Sequence, residues 1–179
     1  MDDTKHRGFS LVELLITLAI IALLTGVAAP AMARFIDNAR LHAATQQLAS
    51  ELARARNHAI THQQASYFSL QRDGADWCFG WGVNRDCRCH AIPAENTCTT
   101  GTGETTQIHR FRSGDYPGIH LRLPGANSAG RQLRFSPVRG TATAASIILT
   151  NRQGEQHVIV SPLGRIRRCT VGATGYARC

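Results

Sequence analysis

From Phe9 to Ala33 the only ionisable side chain is Glu13, and no other stretch constrains the fold as much. As a helix rising about 1.5 Å per residue, this run spans about 37 Å, enough to cross a bilayer with some tilt. Before it lies a short polar leader, Met1 to Gly8, carrying Asp2, Asp3, Lys5 and Arg7. A carboxylate inside an apolar span is costly unless it is paired, so Glu13 is a functional candidate by default. Ala29-Pro30-Ala31 and Ala31-Met32-Ala33 both look like the A-x-A cleavage sites of an ordinary secretory signal. The glutamate in the apolar run and the two acids in the leader argue against that alternative.

The hexapeptide Gly8-Phe9-Ser10-Leu11-Val12-Glu13, with the apolar run behind it, resembles the class III signal of type IV pilins and type II secretion pseudopilins. The resemblance implies that a prepilin peptidase cuts after Gly8 and methylates Phe9. It implies that Glu13 pairs with the free amine of a neighbouring subunit's first residue during filament assembly. Pro30 stands where that family places a helix-kinking proline, which removes one backbone bond. The expected location is the inner membrane, single-pass with a periplasmic domain, and then a type IV pilus at the cell surface.

Arg34 to about His62 continues as an amphipathic helix, because Leu41, Leu48, Leu52, Ala55 and Ala59 recur at helical spacing. From Tyr67 the period changes. Tyr67–Leu70, Cys78–Val83, Ile108–Arg112, Ile119–Leu123, Leu133–Phe135, Ile147–Thr150 and His157–Val160 are predicted strands, separated by Gly- and Pro-containing turns. No helix is predicted after residue 63. Asn84 to Thr106 is polar and rich in cysteine and threonine, and is predicted to be a long loop. The fold class is α+β: a long N-terminal helix, membrane-embedded in its first half, packed on an antiparallel β-sheet domain. The organisation is a leader (1–8), a transmembrane and assembly helix (9–33), its amphipathic continuation (34–62) and a β-rich globular domain (63–179). That domain is predicted to hold a disulfide-stabilised loop (78–98) and a separate C-terminal tail (161–179).

Charge is unevenly placed along the chain. The formal net charge is +8, and Lys5 is the only lysine. Residues 9–103 hold seven Arg and seven Asp or Glu, whereas residues 104–179 hold eleven Arg against Glu104, Asp115 and Glu155. After Glu155 there is no acid but there are four arginines. Arginine stays charged and binds phosphate bidentately, so this concentration suits a polyanion. It equally suits a basic surface that aids solubility or faces anionic lipid.

The six cysteines, at 78, 87, 89, 98, 169 and 179, read as disulfides in an exported domain. Cys169 and Cys179 are isolated from the rest and close a short loop, which makes them the preferred pair. Cys78, Cys87, Cys89 and Cys98 are expected to form two bridges, with the pairing open. Cys87, Cys89, His90 and Cys98 have the residue types of a zinc site, but C-x-C-H is not a standard zinc spacing.

Three landmarks resemble the GspH/FimT family of minor pilins and pseudopilins. Leu52-Ala53-Arg54-Ala55-Arg56-Asn57-His58-Ala59-Ile60 is similar to its L-x-x-A-R-x-x-A-I helix. Trp77-Cys78-Phe79-Gly80-Trp81 is similar to its W-x-x-G-W strand. Phe135-Ser136-Pro137-Val138-Arg139-Gly140 is similar to its F-x-P-x-G turn. The cysteine-rich loop departs from that pattern. Gly164-Arg165-Ile166-Arg167, followed by Arg168, is similar to the G-R-x-R motif of FimT-type proteins that bind DNA in natural transformation.

In an extended segment residues 165 and 167 point to one side, so two guanidiniums about 7 Å apart can contact adjacent phosphates. Arg168 points the other way. Gly164 lets the backbone turn sharply or approach the strand closely. A Cys169–Cys179 bridge would restrain the tail, where Arg178 adds charge and Tyr176 can stack on a base. The bland alternative is a solvated edge strand whose arginines prevent aggregation. Arg131, Arg134, Arg139 and Arg152 widen the patch only if sheet order brings them to the same face. No constellation for reading base edges is present, so little sequence specificity is expected.

Nothing resembles a hydrolase triad, a phosphate loop or paired catalytic carboxylates, so no enzymatic activity, cofactor or metal is expected. Ser136 and Ser161 precede prolines and read as turn residues. Trp77 and Trp81, on one side of a strand, suit core packing more than base stacking. The sequence therefore reads as a minor type IV pilin that binds DNA for uptake in natural transformation, with other pilin subunits and the prepilin peptidase as partners. The alternative is a structural minor pilin, or a type II secretion pseudopilin, that primes filament assembly without binding DNA.

Overall fold

A computed structural model describes residues 10–90, 98–101, 106–125, 130–171 and 179. Helix α1 spans Leu11–Thr61 and runs through Pro30. The chain divides into two compact units, Met1–Ile36 and Asp37–Cys179. In the first unit the large apolar side chains from Leu11 to Leu24 are all at least half exposed. This part of α1 is long and apolar enough to cross a membrane.

The second unit opens with the amphipathic part of α1. Leu41, Ala44, Leu48, Leu52, Ala55 and Ala59 are all buried, so one helical stripe faces the core. The helix stops at a Schellman motif with Gln63 in the left-handed region, φ 51°. The Gln64 amide donates to the Ala59 carbonyl at 3.2 Å and the Gln63 amide to Ile60 at 3.4 Å, which satisfies two terminal carbonyls.

Among the described residues ten strands follow, all antiparallel in their pairing: β1 (Ser66–Asp73), β2 (Asp76–Gly82), β3 (Thr99–Thr100), β4 (Gln107–Ile108), β5 (Arg110–Arg112), β6 (His120–Arg122), β7 (Gly130–Phe135), β8 (Ala145–Thr150), β9 (Glu155–Val160) and β10 (Ile166–Val171). One sheet has the order β5-β2-β1-β7, a second β10-β9-β8-β6, and β3-β4 is a small ribbon. The stripe of α1, Phe68, Phe79, Trp81 and Phe135 of the first sheet, and Ile147, Leu149 and Val158 of the second belong to one continuous core.

Two expectations change. The predicted strand Ile108–Arg112 breaks at His109 into β4 and β5. There the chain leaves the small ribbon for the first sheet: the His109 amide donates to Cys98, and the His109 carbonyl accepts from Trp81. The segment predicted as a long loop, Asn84–Thr106, contains the two-residue strand β3.

Strand β2 is buried on both faces after Asp76. Trp77, Phe79 and Trp81 face the core, and the intervening residues face the cysteine-rich segment. That segment is held by Cys78–Cys89 and Cys87–Cys98, with Cα–Cα distances of 5.8 and 4.4 Å. The four cysteines form their own buried cluster. A Cβ at Gly80 would lie 2.5 Å from the His109 carbonyl oxygen, so the close approach of this layer requires glycine. The pairing engages every cysteine of the alternative zinc set. Cys169–Cys179 closes as expected, with a Cα–Cα distance of 5.0 Å.

Candidate nucleic-acid interface

Strands β9 and β10 form a hairpin whose turn is Ser161–Arg165. The Gly164 amide donates to the Ser161 carbonyl at 2.9 Å, the Ser161 amide to the Arg165 carbonyl at 3.0 Å, and the Arg165 amide to Ser161 Oγ at 3.1 Å. Pro162 presets the first corner. Gly164 has φ +74°, the left-handed conformation that follows such a corner.

A second turn of related sequence, Ser136–Gly140, lies against the first. The Gly140 amide donates to the Ser136 carbonyl at 3.0 Å, and the Ala142 amide donates to Pro162 at 2.9 Å. A Cβ at Gly164 would sit 1.9 Å from the Gly140 carbonyl oxygen and 2.8 Å from Arg56 Nε. Arg56 Nε donates to that carbonyl at 3.2 Å across a sequence separation of 84. Two of the family-like landmarks, the helix and the F-x-P-x-G turn, thus meet the arginine motif at one point.

The junction borders a groove of about 380 Å³ lined by Ala53, Arg56, Asn57, Leu163, Gly164, Arg165 and Ile166. Its lining carries two guanidiniums and no acid. Arg165 and Arg167 are exposed, while Arg168 is half-buried. The register pairs Ile166 with Val160, Arg167 with Ile159 and Arg168 with Val158. Because Val158 and Val160 face the core, Ile166 and Arg168 turn inward and Arg167 turns outward.

The outward face continues through Cys169, opposite His157. Glu155 there accepts from Arg122 at 2.9 Å and pairs with His157 at 2.5 Å. β10 ends the second sheet, a position that arginines also guard against edge pairing. The Cys179 amide returns to the Thr170 carbonyl at 3.4 Å.

The other sequence-derived arginines divide. Arg139 is exposed beside Gly140 and so adjoins the motif. Arg134 is exposed on β7, whose carbonyl at that residue accepts from Thr143. Arg131, at the opposite end of β7, spends its guanidinium on the Pro124 and Ala144 carbonyls. Arg152 lies in the β8–β9 turn, at the far end of β9 from Arg165, and lines a separate depression with Asp37 and Arg40. Glu13 is exposed in the first turn of α1. Gly8, Phe9, Tyr176 and Arg178 lie outside the described residues.

Sequence reasoning missed Glu51 and the residues around it. This carboxylate is fully buried, yet it accepts from Trp81 Nε1 at 2.8 Å, from Gln47 Nε2 at 3.0 Å and from Arg54 at 3.0 Å. A glutamate three residues after a leucine of the buried stripe was the available signal. Trp81 stacks on His109 with ring centroids 4.1 Å apart and meets His58 edge-on at 5.4 Å. Trp77 is also in the core, its indole donating to the Ile119 carbonyl at 2.8 Å.

Burial pushes His109 below the ordinary histidine pKa, with Glu51 opposing and Arg54 adding to the shift. Burial, then the neighbouring His62 and His109, push His58 down as well. Both are therefore neutral in the folded chain near the ordinary value of about 6.5. As pH falls below that value the unfolded chain takes up these protons first, so stability is full above it and declines toward the lowered pKa values. The melting temperature is expected to fall as pH drops below about 6.5, and to fall less in a His58→Gln/His109→Gln chain.

Residues 44–164 match the profile of the family described as Type II transport protein GspH. Residues 3–29 match that of the prokaryotic N-terminal methylation motif. No curated protein matches the sequence. Among solved structures the chain is similar to the minor pseudopilin EpsH from the type 2 secretion system of Vibrio cholerae, with TM-score 0.51, 12% identity, and coverage of 75% of this chain and 99% of that one. The type IV minor pilin FimU of Pseudomonas aeruginosa aligns with TM-score 0.46, 16% identity, and coverage of 74% of this chain and 90% of that one. The GspH profile covers more than half of the chain and the methylation motif covers its start: the chain belongs to the GspH family and is a minor pilin or pseudopilin with the type IV pilin-like fold.

Proposed function

We propose that this pilin binds the phosphate backbone of DNA and serves DNA uptake in natural transformation. The observation that carries the reading is the groove lined by Arg56 and Arg165 and by no acid, with exposed Arg139 and Arg167 nearby. Arg165 and Arg167 are the main phosphate contacts and Arg178 assists from the tail, whereas Arg168, which β10 turns inward, is left out of the contact set. Gly164 sets the turn that presents them. The arginines bind the phosphates common to every sequence, so little sequence specificity is expected.

The N-terminal residues serve assembly. Prepilin peptidase cuts after Gly8 and methylates Phe9, the helix from residue 9 to 33 anchors the subunit in the inner membrane, and Glu13 meets the new amine of a neighbouring pilin subunit. Residues 34–62 carry the helix onto the β-domain of residues 63–179.

The test is DNA binding by the full chain in a neutral detergent, at two salt concentrations, against an Arg165→Gln/Arg167→Gln chain. Losing two phosphate contacts is expected to flatten the slope of log affinity against log salt by about 1.8 and to weaken binding at least about tenfold at low salt. Equal binding by both chains removes the site from the motif. The family description as a type II transport protein favours a second reading, a pseudopilin that primes assembly without DNA. Under it the same substitutions impair assembly or secretion, and the wild type binds no DNA.

A further inference from the structure

The two turns that present the arginines also present apolar side chains. Val138 is 77% exposed and Leu163 76%, more than any other large apolar residue described in the Asp37–Cys179 unit. Single exposed aliphatics are ordinary. These two sit on turns that touch through Gly140 and Gly164, and each has an exposed arginine within two residues, Arg139 and Arg165. Leu163 also lines the groove, together with Ile166, Arg56 and Arg165. The turn is fixed on both sides of Leu163, by the Pro162 ring and by the Gly164-to-Ser161 hydrogen bond of 2.9 Å. The side chain is therefore displayed rather than folded back, and little ordering is needed for it to make contact.

We propose that Leu163 and Val138 act as an apolar wedge against unstacked bases, so that the ligand of this site is single-stranded DNA in preference to intact duplex. The proposal rests on the arginine groove being a DNA site. Guanidiniums bind the phosphates of either form. An aliphatic side chain gains only where a base face or edge is open to it. In intact duplex those faces are stacked, and reaching them costs unstacking energy, which a single strand does not demand. Aliphatic contact carries no hydrogen-bond code, in keeping with the little sequence specificity expected of backbone binding. An anionic bilayer also sets phosphates above apolar matter, but membrane binding grows with the apolar area inserted, and two branched side chains on tight turns insert little.

The test titrates the full chain, in neutral detergent, into labelled oligo(dT) and into a labelled duplex with the same number of phosphates. The wild type is expected to bind the single strand about tenfold more tightly. A Leu163→Ser/Val138→Ser chain is expected to lose about five- to tenfold on the single strand and less than about twofold on the duplex, with an unchanged salt slope. Its thermal unfolding should match the wild type, since both side chains are exposed. Equal wild-type affinity for the two probes, or a serine variant that keeps the preference, overturns the wedge and leaves the arginine groove as a DNA site. Failure of the wild type to bind either probe overturns both readings. Capture of phosphatidylglycerol nanodiscs in that case assigns the tip to anionic lipid.

Discussion

Replacing Gly164 with alanine is expected to destabilise the β-domain by about 3 kcal/mol or more and to abolish presentation of the arginines. Two independent effects add. The residue holds φ +74°, which an L side chain adopts only with strain. The new Cβ would also lie 1.9 Å from the Gly140 carbonyl oxygen and 2.8 Å from Arg56 Nε. That oxygen belongs to a second turn's backbone and cannot rotate away, so the two turns must separate and the Arg56-to-Gly140 bond must break. Gly154→Ala is the control: no atom lies within 4 Å of a Cβ there. Thermal or denaturant unfolding of the two variants checks the difference. A Gly164→Ala chain that unfolds like the wild type would mean that the two turns do not pack as described.

Removing the Glu51 carboxylate is expected to have the second large effect, about 3 kcal/mol for Glu51→Ala. The side chain is fully buried and receives three hydrogen bonds. Truncation leaves the Trp81 indole N–H buried without its acceptor and opens a cavity between α1 and β2. The Arg54 partner is 65% exposed, so its side of the ion pair is screened by water and adds little. Most of the loss therefore comes from the stranded indole and the cavity. Glu51→Gln keeps an oxygen for the indole and should cost only about 1 kcal/mol. Chemical denaturation followed by tryptophan fluorescence reads both variants. If alanine and glutamine prove equally mild, Glu51 does not anchor Trp81.

Local features were legible without a structure because they are encoded within a few residues. The apolar run, the stripe from Leu41 to Ala59 and most strand centres follow from side-chain periods of 3.6 and 2. The Cys169–Cys179 pair followed from isolation and a short loop. Gly164 was marked as a residue that lets the backbone turn sharply or approach closely, and it does both, at φ +74° and against the Gly140 carbonyl. The pairings Cys78–Cys89 and Cys87–Cys98 were not legible, because four cysteines allow three connectivities and two of these close loops of similar size. The break at His109 was hidden for a related reason: neighbours far away in sequence, Cys98 and Trp81, take its backbone groups.

The site shows the same division. By itself the sequence determined the residue types, two arginines spaced by two after a glycine in a tail without acids, and with them the chemistry of anion binding. Only the tertiary structure decided which other charges join them. Sheet order and strand direction put Arg56 and Arg139 at the motif, turned Arg131 onto carbonyls and sent Arg152 to the opposite end of β9. Glu51 looked like one more acid on a helix, and became a buried anchor because β2 places an indole N–H against it. Spacing along a chain fixes what a side chain can do; its neighbours across tens of residues are fixed by how helix and sheets close one core, which no local pattern encodes.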